Sequence, residues 1–505
     1  MSETAYRWGN RAFDTLVLGA VAWSTLAFGA TSGWGLAVTY GLLAAAICLW
    51  AGMRLLAGDE PNSNQATGIA ASTEGLAAPL RIRSRAACLL TLVLAAYVML
   101  QVFPLPAGLV GRLSPARFAL ETKFSNALQG GAVNSLTLSV DPAATRRAMN
   151  LVAAAFMALT AGLYISTSRL RAHRAVQALI GLALVEALYG LLENLTGHRH
   201  IFRIPVGGDF ARGTFFNRNH YAATLALFLP VTIGWFFFRM ASAKARYEKS
   251  RAMPAMPWDV LGTRQGLWLL APAILMLGIV QSQSRGGFAA MMLGTALMFA
   301  IGARRRPLRL AAWLAIPLAV ALFAFGINSD YQAILDRFGD IARDARAEGR
   351  IAIWRDSLGI LRDYPLFGIG LGNFPRVYMQ YAGAGTMVYP YQAHNEWLEG
   401  LITLGAIGMA VVLGAAAGFG VETFRQVRQA RRDQLWLLGC WCGLIALAVH
   451  SVGEFNLHIP SIAISAALVA GILWGSDPSD GSDRPDAGRS RASTRRHLHA
   501  PAPDR

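Results

Sequence analysis

The chain alternates between apolar blocks of about 15 to 20 residues and shorter polar connections, and a helical block of that length spans a bilayer core. The blocks run from Leu16 to Ala30, Gly35 to Met53, Ala87 to Phe103, Ala148 to Ile165, Val176 to Leu192, Tyr221 to Phe238, Leu267 to Val280, Gly287 to Ile301, Leu310 to Gly326, Leu398 to Phe419, Leu435 to Val449 and Ile462 to Trp474. They predict an all-α polytopic membrane protein with about twelve transmembrane helices and both chain ends on one side. One interruption is long, the polar segment from Asn328 to Tyr391. Within it Tyr331, Ile334, Leu335, Phe338, Ile341, Ala342 and Ala345 recur at helical spacing, as do Ile351, Trp354, Leu358 and Leu361. Two amphipathic helices are therefore expected to pack over the membrane face. The organisation that follows is 1–327 for helices one to nine and their loops, 328–395 for the large helical loop, 396–475 for the last three helices, and 476–505 for a tail. The tail is rich in Ser, Asp, Pro and Arg and reads as disordered, and residues 59–79 read as a flexible linker.

Composition adds sidedness. Of 505 residues 54% are hydrophobic and only 15% charged, yet the formal net charge is +17. Arg81, Arg83 and Arg85, Arg169, Arg171 and Arg174, Lys244 to Arg251, Arg304 to Arg306, and Arg425 to Arg432 fall in alternate loops, which the positive-inside rule makes cytoplasmic. The charge thus follows a membrane, and no nucleic-acid partner is expected. Cys48, Cys88, Cys440 and Cys442 lie in or at apolar runs and imply neither a disulfide framework nor a zinc site. Leu16 onward lacks a small-residue cleavage site and reads as a first spanning helix.

This topology puts outside the turn near Thr31, the loops Pro104 to Arg147 and Gly197 to His220, the turn at Gln281 to Arg285, the large loop, and the turn at Gly453 to Pro460. Several of these are basic against the insertion bias. Such charges point to an anionic partner or to snorkelling toward headgroups.

Three outer stretches carry candidate chemistry. In Ala211 to His220 an Arg, a Gly and two Asn precede a spanning helix. Free N–H groups at a helix start and the fork of Arg212 suit phosphate oxygens, while Asn217 or Asn219 could simply cap the helix. In Ser282-Gln-Ser-Arg285-Gly-Gly a lone cation is wedged between two spans, where water screens weakly and a diphosphate could be held without a metal. The third stretch is the large loop with its exit. It brings Arg350, Trp354 and turns at Gly368, Gly370 and Gly372 before Ala393-His394-Asn395-Glu396-Trp397-Leu398-Glu399. The glycine run imitates a dinucleotide fingerprint but follows no strand. His394 is the candidate general base, because imidazole takes up a proton near neutral pH; a lone interfacial histidine is otherwise a hydrogen-bonded structural residue. Glu186 and Glu193 share a face of the fifth span and could pair with an outer arginine. His450, Glu454 and His458 have four-residue spacing, but Gly453 and Pro460 argue against a continuous helix there, so no metal site is expected.

The order of Arg-Gly-Thr-Phe-Phe-Asn-Arg-Asn before a span, Ser-Arg-Gly-Gly between spans, Arg350-Ile-Ala-Ile-Trp354, Pro365-Leu-Phe-Gly-Ile-Gly-Leu-Gly-Asn-Phe, and His394-Asn-Glu-Trp-Leu-Glu399 resembles the O-antigen ligase and polymerase superfamily. Leu138-Ser-Val-Asp141-Pro-Ala-Ala-Thr145 is similar to a further outer-loop signature. The likeness covers roughly Leu105 to Gly475. It implies a bacterial inner-membrane glycosyltransferase with a fold like the large (GT-C-like) membrane glycosyltransferases and no cofactor. Such an enzyme moves a glycan from undecaprenyl diphosphate to an acceptor hydroxyl, lipid A-core or similar, at the periplasmic face. By the same resemblance Arg212 and Arg285 hold the diphosphate and His394 is the base; Asn217, Asn219, Arg350, Trp354, Asn395 and Glu399, in the same stretches, are candidate substrate-binding residues. A polymerase of repeat units or a protein O-oligosaccharyltransferase shares these motifs. A transporter would need paired halves and matched broken helices.

Overall fold

The computed structural model describes residues 2–57, 82–128, 131–249, 267–302, 345–383, 389–429 and 435–476. Eleven of the twelve expected spans fall on described helices. The expected span at 310–326, the expected helix at 331–345 except its last residue, the linker at 59–79 and the tail beyond 476 lie outside the described residues. The helices are α1 (Glu3–Leu26), α2 (Gly33–Ala57), α3 (Ile82–Val102), the short α4 (Ala107–Leu113) and α5 (Pro115–Ala127), α6 (Pro142–Ile165), α7 (Arg169–Leu195), α8 (Arg218–Lys249), α9 (Leu267–Gln281), α10 (Arg285–Gly302), α11 (Ala345–Asp363), α12 (Phe374–Tyr378), α13 (Glu396–Gln429), α14 (Leu435–His450) and α15 (Pro460–Gly475). Among the described residues six helices are long and apolar enough to cross a membrane, and four shorter apolar helices join them. Helix α1, whose first half carries Glu3, Arg7, Arg11 and Asp14, is in neither group. The fold is that of a helical membrane protein.

Helix α8 is the centre of the bundle and is buried nearly all round, as a helix apolar on every face must be. Small residues let its neighbours approach closely. In the α6–α15 pair a Cβ on Gly471 would lie 2.2 Å from the Leu159 carbonyl oxygen, and one on Gly162 2.5 Å from that of Leu468. Where apolar burial gives helices no preference over lipid, such close approach supplies the attraction.

The loops expected outside gather at one end. Thr214 Oγ1 donates to the Thr25 carbonyl (2.8 Å), Ala211 N to that of Gln281 (2.9 Å), Glu396 N to that of Ser451 (2.9 Å) and Val140 N to that of Ile369 (3.0 Å). The loops expected inside meet at the other end. There Arg171 clasps Asp14 through two nitrogens at 2.6 and 2.9 Å, and the Tyr164 hydroxyl donates to Asn10 Oδ1 at 2.8 Å. The Leu138 to Thr145 stretch is a clasp. Asp141 caps α6 through Ala143 N and Ala144 N and pairs with Arg376 at 3.1 Å, while Thr145 Oγ1 donates to the Leu371 carbonyl at 2.9 Å. It thereby ties the first long outer loop to the large one.

Helix α11 is present, and its buried face is only partly the expected one, since Leu361 packs inward and Trp354 is half-buried while the other two expected residues face out. Ile353, Ser357, Ile360 and Tyr364 face the interior, whereas Ile351 and Leu358 are 51% and 58% exposed. The partner surface is built by Ile369, Phe374, Val377, Tyr378 and Ile402, and it selects the stripe that also contains a serine and a tyrosine hydroxyl. Gly368, Gly370 and Gly372 all adopt left-handed backbone (φ 65, 91 and 72), so the glycine run does supply turns. The turn they form is joined to a break in α13 at Gly405 (φ 66). Ile369 N donates to the Ile402 carbonyl and Gly370 N to that of Thr403, both at 3.0 Å. In return Ala406 N reaches Pro365 (2.8 Å) and Ile407 N reaches Leu366 (3.1 Å). Gln101 Nε2 caps the carbonyls of Phe367 (2.8 Å) and Thr403 (3.0 Å) from α3. A helix broken in apolar surroundings is stable only when its orphaned groups are met in this way.

Candidate functional site

The site forms where α8, α10 and α13 begin and α14 ends. Asn217 opens α8, its Oδ1 accepting Asn219 N at 2.8 Å. The α9–α10 turn is tied by Ser284 Oγ, which accepts Gly287 N at 3.1 Å, and Arg285 is the first residue of α10. Asn395 opens α13 by accepting Trp397 N (3.1 Å) and Leu398 N (3.0 Å). Three helix starts directed at one region favour negative charge there. Helix α14 stops at His450, so the His450, Glu454 and His458 triplet is not on one helix. Among the described residues no group of three such side chains is set to hold a metal.

Glu454 is the hub. It is buried, and it pairs with Arg350, accepts the Asn219 side-chain amide and meets His394 Nδ1 at 3.4 Å. Burial raises its carboxyl pKa, but the hydrogen bond from His394 and the charge of Arg350 outweigh that and hold it at about 2. An ionised carboxylate only accepts, so His394 Nδ1 carries the proton and Nε2 is left as the basic nitrogen. The imidazole stands edge-on to Phe455 at 4.9 Å and keeps 30% of its side chain exposed. Its backbone is left-handed (φ 52). That strained conformation is fixed through the residue before it, since Trp354 Nε1 donates to the Ala393 carbonyl (2.8 Å) and Ala393 N donates to Glu399 Oε2 (2.8 Å). Behind Glu454, Asn456 links His450 and Ser451, both at 2.9 Å, and His220 stacks edge-on against Phe455 at 4.7 Å.

A second acid–histidine cluster supports the first. His458 stands between Glu396 (3.0 Å) and Glu399 (3.3 Å), and Glu396 Oε2 also accepts Leu457 N at 2.9 Å. Burial lowers the His458 pKa, but the two carboxylates reverse this and raise it well above the ordinary histidine value. The two clusters have opposite pH signatures. Stabilisation from Glu454 is full above the ordinary carboxylate value of 4.5 and is lost as pH falls toward about 2. That from His458 is full below 6.5 and is lost as pH rises through its raised value. In detergent, Glu454→Gln is expected to melt well below the parent near neutrality and to converge with it on acidification. His458→Gln should converge with the parent on the alkaline side. Melting gaps constant from about pH 3 to about pH 10 would contradict both assignments.

The sequence-chosen residues thus fall into groups. Asn219, Arg350 and His394 meet on Glu454, Trp354 and Glu399 brace Ala393, and Asn395 and Asn217 are caps. Arg285 lies beside this group, since a Cβ on its neighbour Gly286 would be 3.1 Å from His450 Nε2. Arg212 lies further along the Gly207 to Asn217 strap, which Gln283 Nε2 joins to the α10 start by donating to the Asp209 carbonyl at 3.0 Å. The Arg212 guanidinium is held by the Gly207 carbonyl and the Phe210 ring (4.4 Å). Burial lowers its pKa and the charge of Glu193 counters this. Glu193 therefore faces an outer arginine. Glu186 instead accepts Thr214 N (2.9 Å) and Thr214 Oγ1 (2.8 Å), a backbone partner that charge pairing does not foretell. Sequence spacing singles out Glu454 only as part of a metal triplet and misses its role as the hub; the available signal is a carboxylate in the short polar turn after α14.

Residues 270–413 match the family model for O-antigen ligase, a stretch that contains Arg285, Arg350, Trp354, His394, Asn395 and Glu399. No curated protein matches the chain. The match supports the O-antigen ligase superfamily, whose members are glycosyltransferase-like membrane enzymes with lipid-linked glycan donors.

Proposed function

We propose that the protein is an inverting glycosyltransferase of the bacterial inner membrane. It moves a glycan from undecaprenyl diphosphate to an acceptor hydroxyl, that of lipid A-core or a similar glycan, at the periplasmic face. Both termini are cytoplasmic, the large loop is periplasmic, and the architecture is of the GT-C-like kind. The observation that carries this reading is the convergence of His394, Arg350 and Asn219, from three distant segments, on the buried Glu454.

In the reaction the acceptor hydroxyl enters beside His394, and Nε2 withdraws its proton as the oxygen attacks the anomeric carbon. The bond from that carbon to the diphosphate oxygen breaks on the opposite face, which inverts the centre. Arg285 and Arg212 meet the charge growing on the departing diphosphate, and Glu454 stabilises the imidazolium. A charge contact that tightens in the transition state contributes about 3 kcal/mol. Arg285→Ala is therefore expected to slow transfer from lipid-linked donor by about a hundredfold in reconstituted vesicles. A parental rate for that variant would remove the diphosphate assignment.

A further inference from the structure

Beside the cationic strap lies a group of aromatic side chains that the reaction above does not use. The Phe28 and Phe216 rings stack at 5.1 Å and 18°, Phe202 meets Phe28 edge-on at 5.9 Å, and Tyr189 tilts against Phe202 at 5.5 Å. Packing in the core does not account for them, because Phe202 and Phe216 are 51% and 50% exposed. Nor does relaxed chain geometry. Phe28 (φ 60) and Phe202 (φ 54) both sit in left-handed backbone, which is unfavourable for bulky residues and persists where surrounding structure enforces it. One enforcing contact is the Tyr189 hydroxyl, which accepts Phe202 N at 2.8 Å. Aromatic residues that merely mark a membrane boundary need no such strain.

The plate is continuous with cations. Phe216 is followed by Asn217 and Arg218, and the guanidinium groups of Arg212 and Arg218 lie over the Phe210 ring at 4.4 and 4.6 Å. On either side of Tyr189 the exposed residues of α7, Val185 and Leu188 toward the inner end and Leu192 and Leu195 toward the outer end, continue the apolar surface. Cations, then flat aromatic faces, then an aliphatic ramp match an amphiphile whose anionic group joins a hydrocarbon chain directly. We propose that Phe28, Phe202 and Phe216 form the subsite for the first isoprene units of a polyprenyl diphosphate donor. This rests on the reading under Proposed function and adds where the lipid is gripped. Isoprene units offer flat alkenes and methyl groups to the ring faces, and the diphosphate is then delivered to Arg212 at a fixed distance from the plate.

The test compares one glycan diphosphate carried on an undecaprenyl chain and on a methyl group, which offers no isoprene unit to the plate, with the purified protein in vesicles. The parent should prefer the long chain in kcat/KM. In Phe202→Gly and Phe216→Ala that preference should fall about tenfold, through KM for the long-chain donor. Phe202→Gly separates binding from folding, since glycine relieves the left-handed strain and this variant should melt no lower than the parent. An unchanged chain-length preference in both variants would overturn the subsite and leave the plate a boundary marker. An equal loss on both donors would also overturn it and point to stacking of a sugar ring. A parent that transfers from neither donor would instead refute the proposed function.

Discussion

His394→Ala in the reconstituted protein is expected to lower the rate of glycan transfer by about a thousandfold, with KM for the lipid-linked donor little changed. General-base catalysis by a positioned group contributes about 10² to 10⁴ in rate. The position here is set before substrate arrives, by Glu454 at Nδ1, Phe455 against the ring and the braced backbone at Ala393. Because the imidazole is partly exposed, its removal leaves no buried cavity, and the variant should still fold, melting below the parent by the hydrogen bond that Glu454 loses. Transfer at the parental rate by a folded His394→Ala protein would end the general-base assignment.

Glu454→Gln is expected to be nearly as damaging, for a different reason. The side-chain shape is kept, but the amide can offer an N–H to His394 Nδ1, which reverses the tautomer and takes the basic nitrogen away from the acceptor. The loss of charge also leaves Arg350 opposite a neutral group. Where a carboxylate holds an imidazole in its working tautomer, the corresponding change to an amide costs up to about 10⁴ in kcat. We expect about 10³ here, read in kcat, because the carboxylate lies behind the base. Glu454→Asp should recover part of the rate, since it restores the charge at a shorter reach. A Glu454→Gln protein within a few-fold of the parent would make Glu454 a strut for α13 and α14 and nothing more.

Much of this architecture is legible in the chain because membranes impose simple patterns. The apolar blocks that became α6, α7 and α8 need only length and composition to be recognised, and the positive φ of Gly368, Gly370 and Gly372 follows from glycine clustering in a loop. The buried face of α11 is only partly legible by apolar spacing, because Ser357 and Tyr364 are buried while Ile351 is exposed. A surface contributed by distant residues such as Phe374 and Ile402 decides that rotation. Arg285 and His394 stand out locally as polar residues at the edges of apolar runs. Glu454 does not, since its role arises from Asn219, Arg350 and His394, which lie far from it in sequence. Glu186 shows the converse error, an acid read for its charge whose partner is the Thr214 backbone.

The interruption of α13 at Gly405 has a bearing on how substrate is admitted. Four amide-to-carbonyl bonds join the two sides of that interruption to residues 365–370. The 365–370 segment of the large loop and the helix that follows His394 are therefore tied into one body, and a hinge between them would strand those groups. Any opening of the site therefore has to come at the rim of this unit and not from a hinge at Gly405.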